Sequence, residues 1–211
     1  MISQIKKIGI IPVIVLHNQQ EVEPLGNALS IGGIPCAEIT FRSKFAAEAI
    51  ALMVTKFPDI LVGAGTVLTC EQVDKAIKAG AKFIVTPGLN EHVVRYCQEK
   101  NILVIPGVCT PSEIERAMGL GIEIVKFFPA EVFGGINFIK AVSAPYSNVK
   151  FIPTGGVNIN NVENYLKHPK VLACGGSWMV KRDLIENKEY DQITNLIKDA
   201  KRIVDSVRGN P

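Results

Sequence analysis

The chain has 211 residues, 47% of them apolar and 20% charged, enough to fill one sizeable core and within the usual length of a one-domain α/β barrel. Its net charge of +3 comes from interspersed lysines and glutamates, which excludes the basic stripe of a nucleic-acid binder. The longest apolar stretch, Ile8 to Leu16, is broken by Gly9 and Pro12 and is too short to cross a membrane.

Short Val- and Ile-rich runs alternate with longer amphipathic segments. IIPVIVL (10–16) reads as the first strand, and EVEPLGNALSIGG (21–33) follows with helical spacing and a glycine ending. IPCAEIT (34–40) and ILVGAGT (60–66) are strands flanking the helical KFAAEAIALMVTKF (44–57). Thr69 stands before the helical EQVDKAIKAGA (71–81), and KFIVTP (82–87) is the next strand. Asn90 before Glu91 offers an N-cap, and ILVIPG (102–107) is a fifth strand. Thr110-Pro111 supplies a cap with Pro at the first helical position, opening SEIERAMGLG (112–121). IEIVKFF (122–128), VKFIPTG (149–155) and VLACGG (171–176) complete the strands, and a last helix runs from Tyr190 to Val207.

Several of these runs are apolar nearly throughout, as expected of parallel strands covered on both faces. Eight strand-and-helix units predict an α/β fold, a single-domain (β/α)8 TIM barrel over residues 1–211. A doubly wound sheet would want G-x-G-x-x-G after the first strand, and the nearest pattern, GAGT, continues differently.

Cys36, Cys70, Cys97, Cys109 and Cys174 are scattered with no C-x-x-C spacing, so they read as reduced packing residues in a cytoplasmic protein. The N-terminus lacks the apolar core and cleavage site of an export signal. His17, His92 and His168 lie far apart, and no metal motif is expected.

Barrel chemistry sits at the C-terminal strand ends, where the polar residues are Glu38, Thr40, Arg42, Thr66, Thr86, Lys126, Thr154 and Ser177. Alternation puts Glu38, Thr40 and Arg42 on one face, and sets Lys126 with Ile124 and Phe128 toward the mouth while Val125 and Phe127 face the helices. An amine there is partly desolvated, which disfavours its charged form; the neutral amine can attack a ketone and form a Schiff base. The plainer reading of Lys126 is a buried partner for Glu38 or a snorkelling rim lysine. Glu38 is suited to carry protons, and Arg42 to grip a carboxylate with two parallel N–H groups. TGGV (154–157) and CGGS (174–177) end the last two strands, where barrels commonly bind phosphate through glycine backbone. A phosphorylated keto acid would span such a site.

GAGTVL, TPGL, IPGV, VKFFPAE, PTGGV and GGSW, in that order, resemble the 2-keto-3-deoxy-6-phosphogluconate and 4-hydroxy-2-oxoglutarate aldolases, from about Pro12 to the final helix. The resemblance implies class I, metal-independent chemistry without a cofactor in a homotrimeric barrel that yields pyruvate and glyceraldehyde 3-phosphate. It implies that Lys126 forms the Schiff base and that Glu38 transfers protons. Arg42 and Thr66 would hold the pyruvate carboxylate, Pro87 and Phe128 would line the pocket, and Thr154, Gly155, Gly156, Gly175, Gly176 and Ser177 would hold the phosphate. A galactonate-specific relative is the alternative substrate reading, against which Thr154 and Ser177 favour gluconate. A non-catalytic phosphosugar-binding barrel would need the glycine loops without the Lys126–Glu38 pair, and an isomerase would need no desolvated amine. Neither nucleic acid nor membrane is an expected partner.

Overall fold

The computed structural model describes residues 1–209, so Asn210 and Pro211, the end of the expected domain, lie outside the described residues. The chain opens with α1 (Ile2–Ile8), then β1 (Ile10–Ile14), α2 (Val22–Gly32), β2 (Cys36–Thr40), α3 (Ala46–Lys56) and β3 (Leu61–Gly65). Next come α4 (Cys70–Lys78), β4 (Phe83–Val85), α5 (Glu91–Glu99), β5 (Leu103–Ile105) and β6 (Gly107–Val108). They are followed by α6 (Pro111–Gly119), β7 (Ile124–Phe127), α7 (Gly135–Val142), β8 (Lys150–Pro153) and α8 (Val162–Leu166). The last elements are β9 (Cys174–Gly176), α9 (Arg182–Glu186) and α10 (Tyr190–Arg208).

Six parallel strands, in the order β5-β4-β3-β2-β1-β9, form a half-barrel, and β6-β7-β8 form a second parallel sheet. Single parallel bridges, Phe151 with Val171 and Thr154 with Gly175, tie the end of β8 to the segment of β9. The strands are buried almost throughout, which is why their sequences lack polar alternation.

Three helix starts follow the local chemistry read from sequence. Thr69 Oγ1 accepts from the Gln72 N–H, and Asn90 Oδ1 accepts from the His92 and Val93 N–H groups. Thr110 and Glu113 form a reciprocal capping box with Pro111 in the first turn. The expected strands shorten where tertiary structure takes over. The third stops at Gly65 because Thr66 turns to φ +54°. The fifth divides at Pro106, which has no N–H to give a ladder, while the Pro106 carbonyl accepts from Lys126 N–H at 2.8 Å. The structure adds α1, absent from the sequence expectation, with Gly9 as its left-handed C-cap. α10 lies close against α2, because Gly32 has no side chain to meet Ile197.

Candidate active site

Lys126 projects from the middle of β7, whose register sets it beside Gly107 on one neighbour and Ile152 on the other. Its Nζ lies 3.5 Å from Glu38 Oε1 on β2, and the two side chains are only 6% and 3% exposed. Snorkelling to solvent is therefore ruled out for this lysine. Nζ also stands 5.1 Å from the Phe128 ring centroid, within cation–π range. Phe127, of opposite parity, stacks on Phe138 of α7 with centroids 4.6 Å apart. Among the described residues Glu38 Oε1 has no hydrogen-bond partner, and Gly65 makes room for it, since a Cβ there would come within 2.2 Å of that oxygen. Glycine in GAGT is thus a demand of the buried carboxylate rather than a nucleotide motif.

A pocket of about 270 Å³ opens above this pair, with Lys126, Phe128, Val13 and Pro87 on its walls. Arg42 lies on its rim, exposed. Its Nε donates to Thr40 Oγ1 at 3.2 Å, and that hydroxyl donates to the Ile14 carbonyl at 3.0 Å, so the buried Thr40 anchors the guanidinium to β1. The terminal nitrogens of Arg42 make no hydrogen bond to protein among the described residues, which leaves the flat fork free for a carboxylate. Thr66 reaches the pocket from a left-handed backbone that costs a non-glycine residue about 1–2 kcal/mol. Thr86 is turned away, its Oγ1 donating to the Gly88 carbonyl at 2.7 Å, and Pro87 takes the wall instead.

Thr154, Gly155, Gly156, Val157, Gly176 and Ser177 line the far side. Gly155 and Gly156 both have positive φ, +94° and +81°. The N–H groups of Gly155, Gly156, Val157 and Ser177 donate to no protein acceptor among the described residues, so this wall offers backbone donors to an anion. Gly176 is required by the Trp178 ring, which would lie 1.9 Å from a Cβ. Gly175 does not line the pocket. It pairs with Ile11 and Thr154, and a Cβ there would strike Thr154 Oγ1 at 2.2 Å.

Sequence reading missed two apolar walls, Val13, which the register sets beside Glu38, and Val157, in the loop after the two glycines. Among the described residues no cluster of His, Cys, Asp and Glu is arranged to hold a metal. The five cysteines are unpaired, and burial pushes the Cys36 and Cys174 thiols far above their ordinary range and Cys97 up to about 12.

A family model for KDPG and KHG aldolase matches residues 1–196. The chain is 47% identical over 200 residues to the 2-dehydro-3-deoxy-phosphogluconate aldolase of Treponema pallidum, with 95% of each chain covered. Among solved structures it is similar to the KDPG aldolase of Legionella pneumophila with pyruvate captured at low pH as a covalent carbinolamine intermediate, at TM-score 0.90 and 41% identity, covering 93% of this chain and 96% of that one. It is also similar to the Zymomonas mobilis 2-keto-3-deoxy-6-phosphogluconate aldolase with 3-phosphoglycerate, at TM-score 0.88 and 33% identity, covering 96% and 95%. With a buried amine and a glycine wall lining one pocket, and a buried carboxylate 3.5 Å behind the amine, this chain belongs to the KDPG and KHG aldolase family.

Proposed function

We propose that this chain is a class I aldolase that cleaves 2-keto-3-deoxy-6-phosphogluconate to pyruvate and D-glyceraldehyde 3-phosphate, and 4-hydroxy-2-oxoglutarate to pyruvate and glyoxylate. The observation that carries the reading is a buried lysine amine on the pocket wall, 3.5 Å from a buried carboxylate oxygen that has no hydrogen bond among the described residues. The carbinolamine of the Legionella relative and the bound 3-phosphoglycerate of the Zymomonas relative support the two ends of the site.

The steps follow from the donor set. The Lys126 amine adds to the C2 ketone to give a carbinolamine, Glu38 delivers a proton to its hydroxyl, and water leaves to form the protonated imine. Glu38 then accepts the proton of the C4 hydroxyl, the C3–C4 bond breaks, and its electron pair passes through C3 into the iminium as an enamine. The aldehyde departs. Protonation of the enamine at C3 and hydrolysis of the imine release pyruvate and restore the amine.

Arg42 and Thr66 hold the pyruvate carboxylate in this reading, and Pro87 and Phe128 flank the ketone. Thr154, Gly155, Gly156, Gly176 and Ser177 hold the phosphate in this reading, with Gly175 packed behind Thr154. We take the two sheets as one closed (β/α)8 barrel in a single domain: β5 and β6 are one strand interrupted at Pro106, and the two bridges join β8 to β9. A homotrimer is supported by the apolar Val132 and Phe133, 80% and 44% exposed on the single chain. A cytoplasmic setting is supported by the five unpaired thiols, and no helix among the described residues is long and apolar enough to cross a membrane.

Borohydride reduction in the presence of pyruvate, followed by peptide mass mapping, tests the mechanism. A pyruvate adduct on Lys126 is expected. A folded protein that binds pyruvate and leaves Lys126 unmodified would remove the imine.

A further inference from the structure

The glycine wall owes its donors to what grips its carbonyls. Across a trans peptide the C=O of one residue and the N–H of the next point in opposite directions, so fixing the oxygen fixes the hydrogen. Three successive peptide planes of the Thr154–Val157 loop are gripped in this way. The Ala130 N–H donates to the Thr154 carbonyl at 2.8 Å, and the Glu131 N–H donates to the Gly155 carbonyl at 3.1 Å. The Gly156 carbonyl has no backbone donor among the described residues and receives two side-chain amides instead, from Asn158 Nδ2 at 3.0 Å and Asn161 Nδ2 at 3.1 Å. The partners of these three oxygens in their planes are the N–H groups of Gly155, Gly156 and Val157, the same three that have no protein acceptor.

We propose that Asn158 and Asn161 are positioning residues for the substrate phosphate: together they turn the Gly156–Val157 peptide so that its N–H faces the pocket. The proposal rests on the phosphate seat described above. The asparagines are suited to it because each is itself braced. The Asn158 N–H donates to Asn161 Oδ1 at 2.8 Å, and the Asn160 N–H donates to Asn158 Oδ1 at 2.9 Å. Both amides are thereby oriented with nitrogen toward Gly156. The first two planes are held by the backbone of Ala130 and Glu131, beyond the reach of side-chain variation. The third depends on side chains, and Gly156, with φ +81°, sits at a position where the plane would otherwise be free to rotate.

The test compares the phosphorylated six-carbon keto acid with 4-hydroxy-2-oxoglutarate, which carries no phosphate, in the wild type, Asn158→Ala, Asn161→Ala and the double variant. Inorganic phosphate serves as a competitive probe of the seat. In the double variant kcat/KM for the phosphorylated substrate is expected to fall about tenfold, through KM, the size of one charge-assisted hydrogen bond lost. The inhibition constant for inorganic phosphate should rise by the same factor, and kcat/KM for 4-hydroxy-2-oxoglutarate should move less than about twofold, since the Lys126 end is untouched. Each single variant keeps one donor on the Gly156 carbonyl and should show about a threefold rise in the phosphate inhibition constant. If the double variant fails to fold, the singles decide, and two singles with wild-type phosphate inhibition overturn the proposal. Equal losses on both substrates would also overturn it, because they mark a structural role. A wild type that is indifferent to inorganic phosphate would remove the seat itself, whereas a phosphate-sensitive wild type with an unchanged double variant would remove only the roles of the asparagines.

Discussion

Two glutamates lie buried in this molecule, each beside a cation, and they are paired in opposite ways. Glu21, in the short turn Gln19–Glu21 after β1, takes both terminal nitrogens of Arg182, at 2.6 and 2.8 Å, and also the His17 N–H and the Asn18 amide, each at 2.9 Å. Glu38, more deeply buried, faces Lys126 at 3.5 Å, and its Oε1 has no hydrogen bond among the described residues. A buried charge usually requires full pairing, since an unmet partner carries the whole desolvation cost. The first pair meets that requirement and joins the loop after β1 to the start of α9. The second leaves it unmet where a substrate would supply the missing partners. The incompleteness, rather than the burial, distinguishes the pair proposed to react.

Breaking the proposed reactive pair should produce the largest effects, and they should fall on turnover. Lys126→Met keeps the apolar stem and removes the nucleophile; kcat is expected to drop by about 10⁴ or more, with borohydride trapping abolished. A variant within about a hundredfold of wild type would mean that the imine forms elsewhere or not at all. Glu38→Gln should be next, lowering kcat about 10²–10³ as expected for loss of a positioned proton carrier, while the pyruvate adduct on Lys126 still forms. Should its kcat stay within tenfold, another group moves the protons.

The saturated pair should answer on stability. Arg182→Met leaves Glu21 with two of its four donors and is expected to cost about 2 kcal/mol, discounted because Arg182 is 28% exposed. For a chain of this length that corresponds to a Tm lower by about 4–8 °C. Its kcat should match wild type, since neither residue lines the pocket. A large loss of turnover with unchanged Tm would reverse the contrast between the two pairs.

The same contrast explains what the sequence made legible. Lys126 and Glu38 stood out because a charge inside an apolar strand conflicts with its surroundings, and alternation then fixed which way each faces. The strand runs and three helix caps were readable for a similar reason, since local chemistry specifies them. The Glu21–Arg182 pair was not readable, because its members are 161 residues apart and sit in a loop and at a helix start, where charged residues are ordinary. Gly155 and Gly156 were visible as a pair, but the grip on their carbonyls by Ala130, Glu131 and two asparagines exists only in three dimensions. The break at Pro106 was hidden by tertiary pairing: a proline at a strand's centre argues against a strand, yet here one lies between β5 and β6.

Acid should separate the pairs most finely. Burial acts to raise the Glu21 carboxyl, but the Arg182 guanidinium, the His17 N–H and the Asn18 amide together outweigh it and hold the group below the ordinary glutamate range. A carboxylate depressed in the folded state adds stability that is complete above its unfolded value, about 4.3, and is lost as pH falls through the lower folded value. Glu21→Gln should therefore be less stable than wild type at neutral pH, and the gap in urea midpoint should close on acidification below about pH 4. Glu113, also held low, by the Cys109 and Thr110 donors against the upward push of burial, titrates in both proteins and cancels from the difference. A gap that stays constant from neutral to acid pH would mean that Glu21 acts through its shape and hydrogen bonds and not through its charge. In that case the saturated pair would owe its stability to geometry that a neutral amide could reproduce.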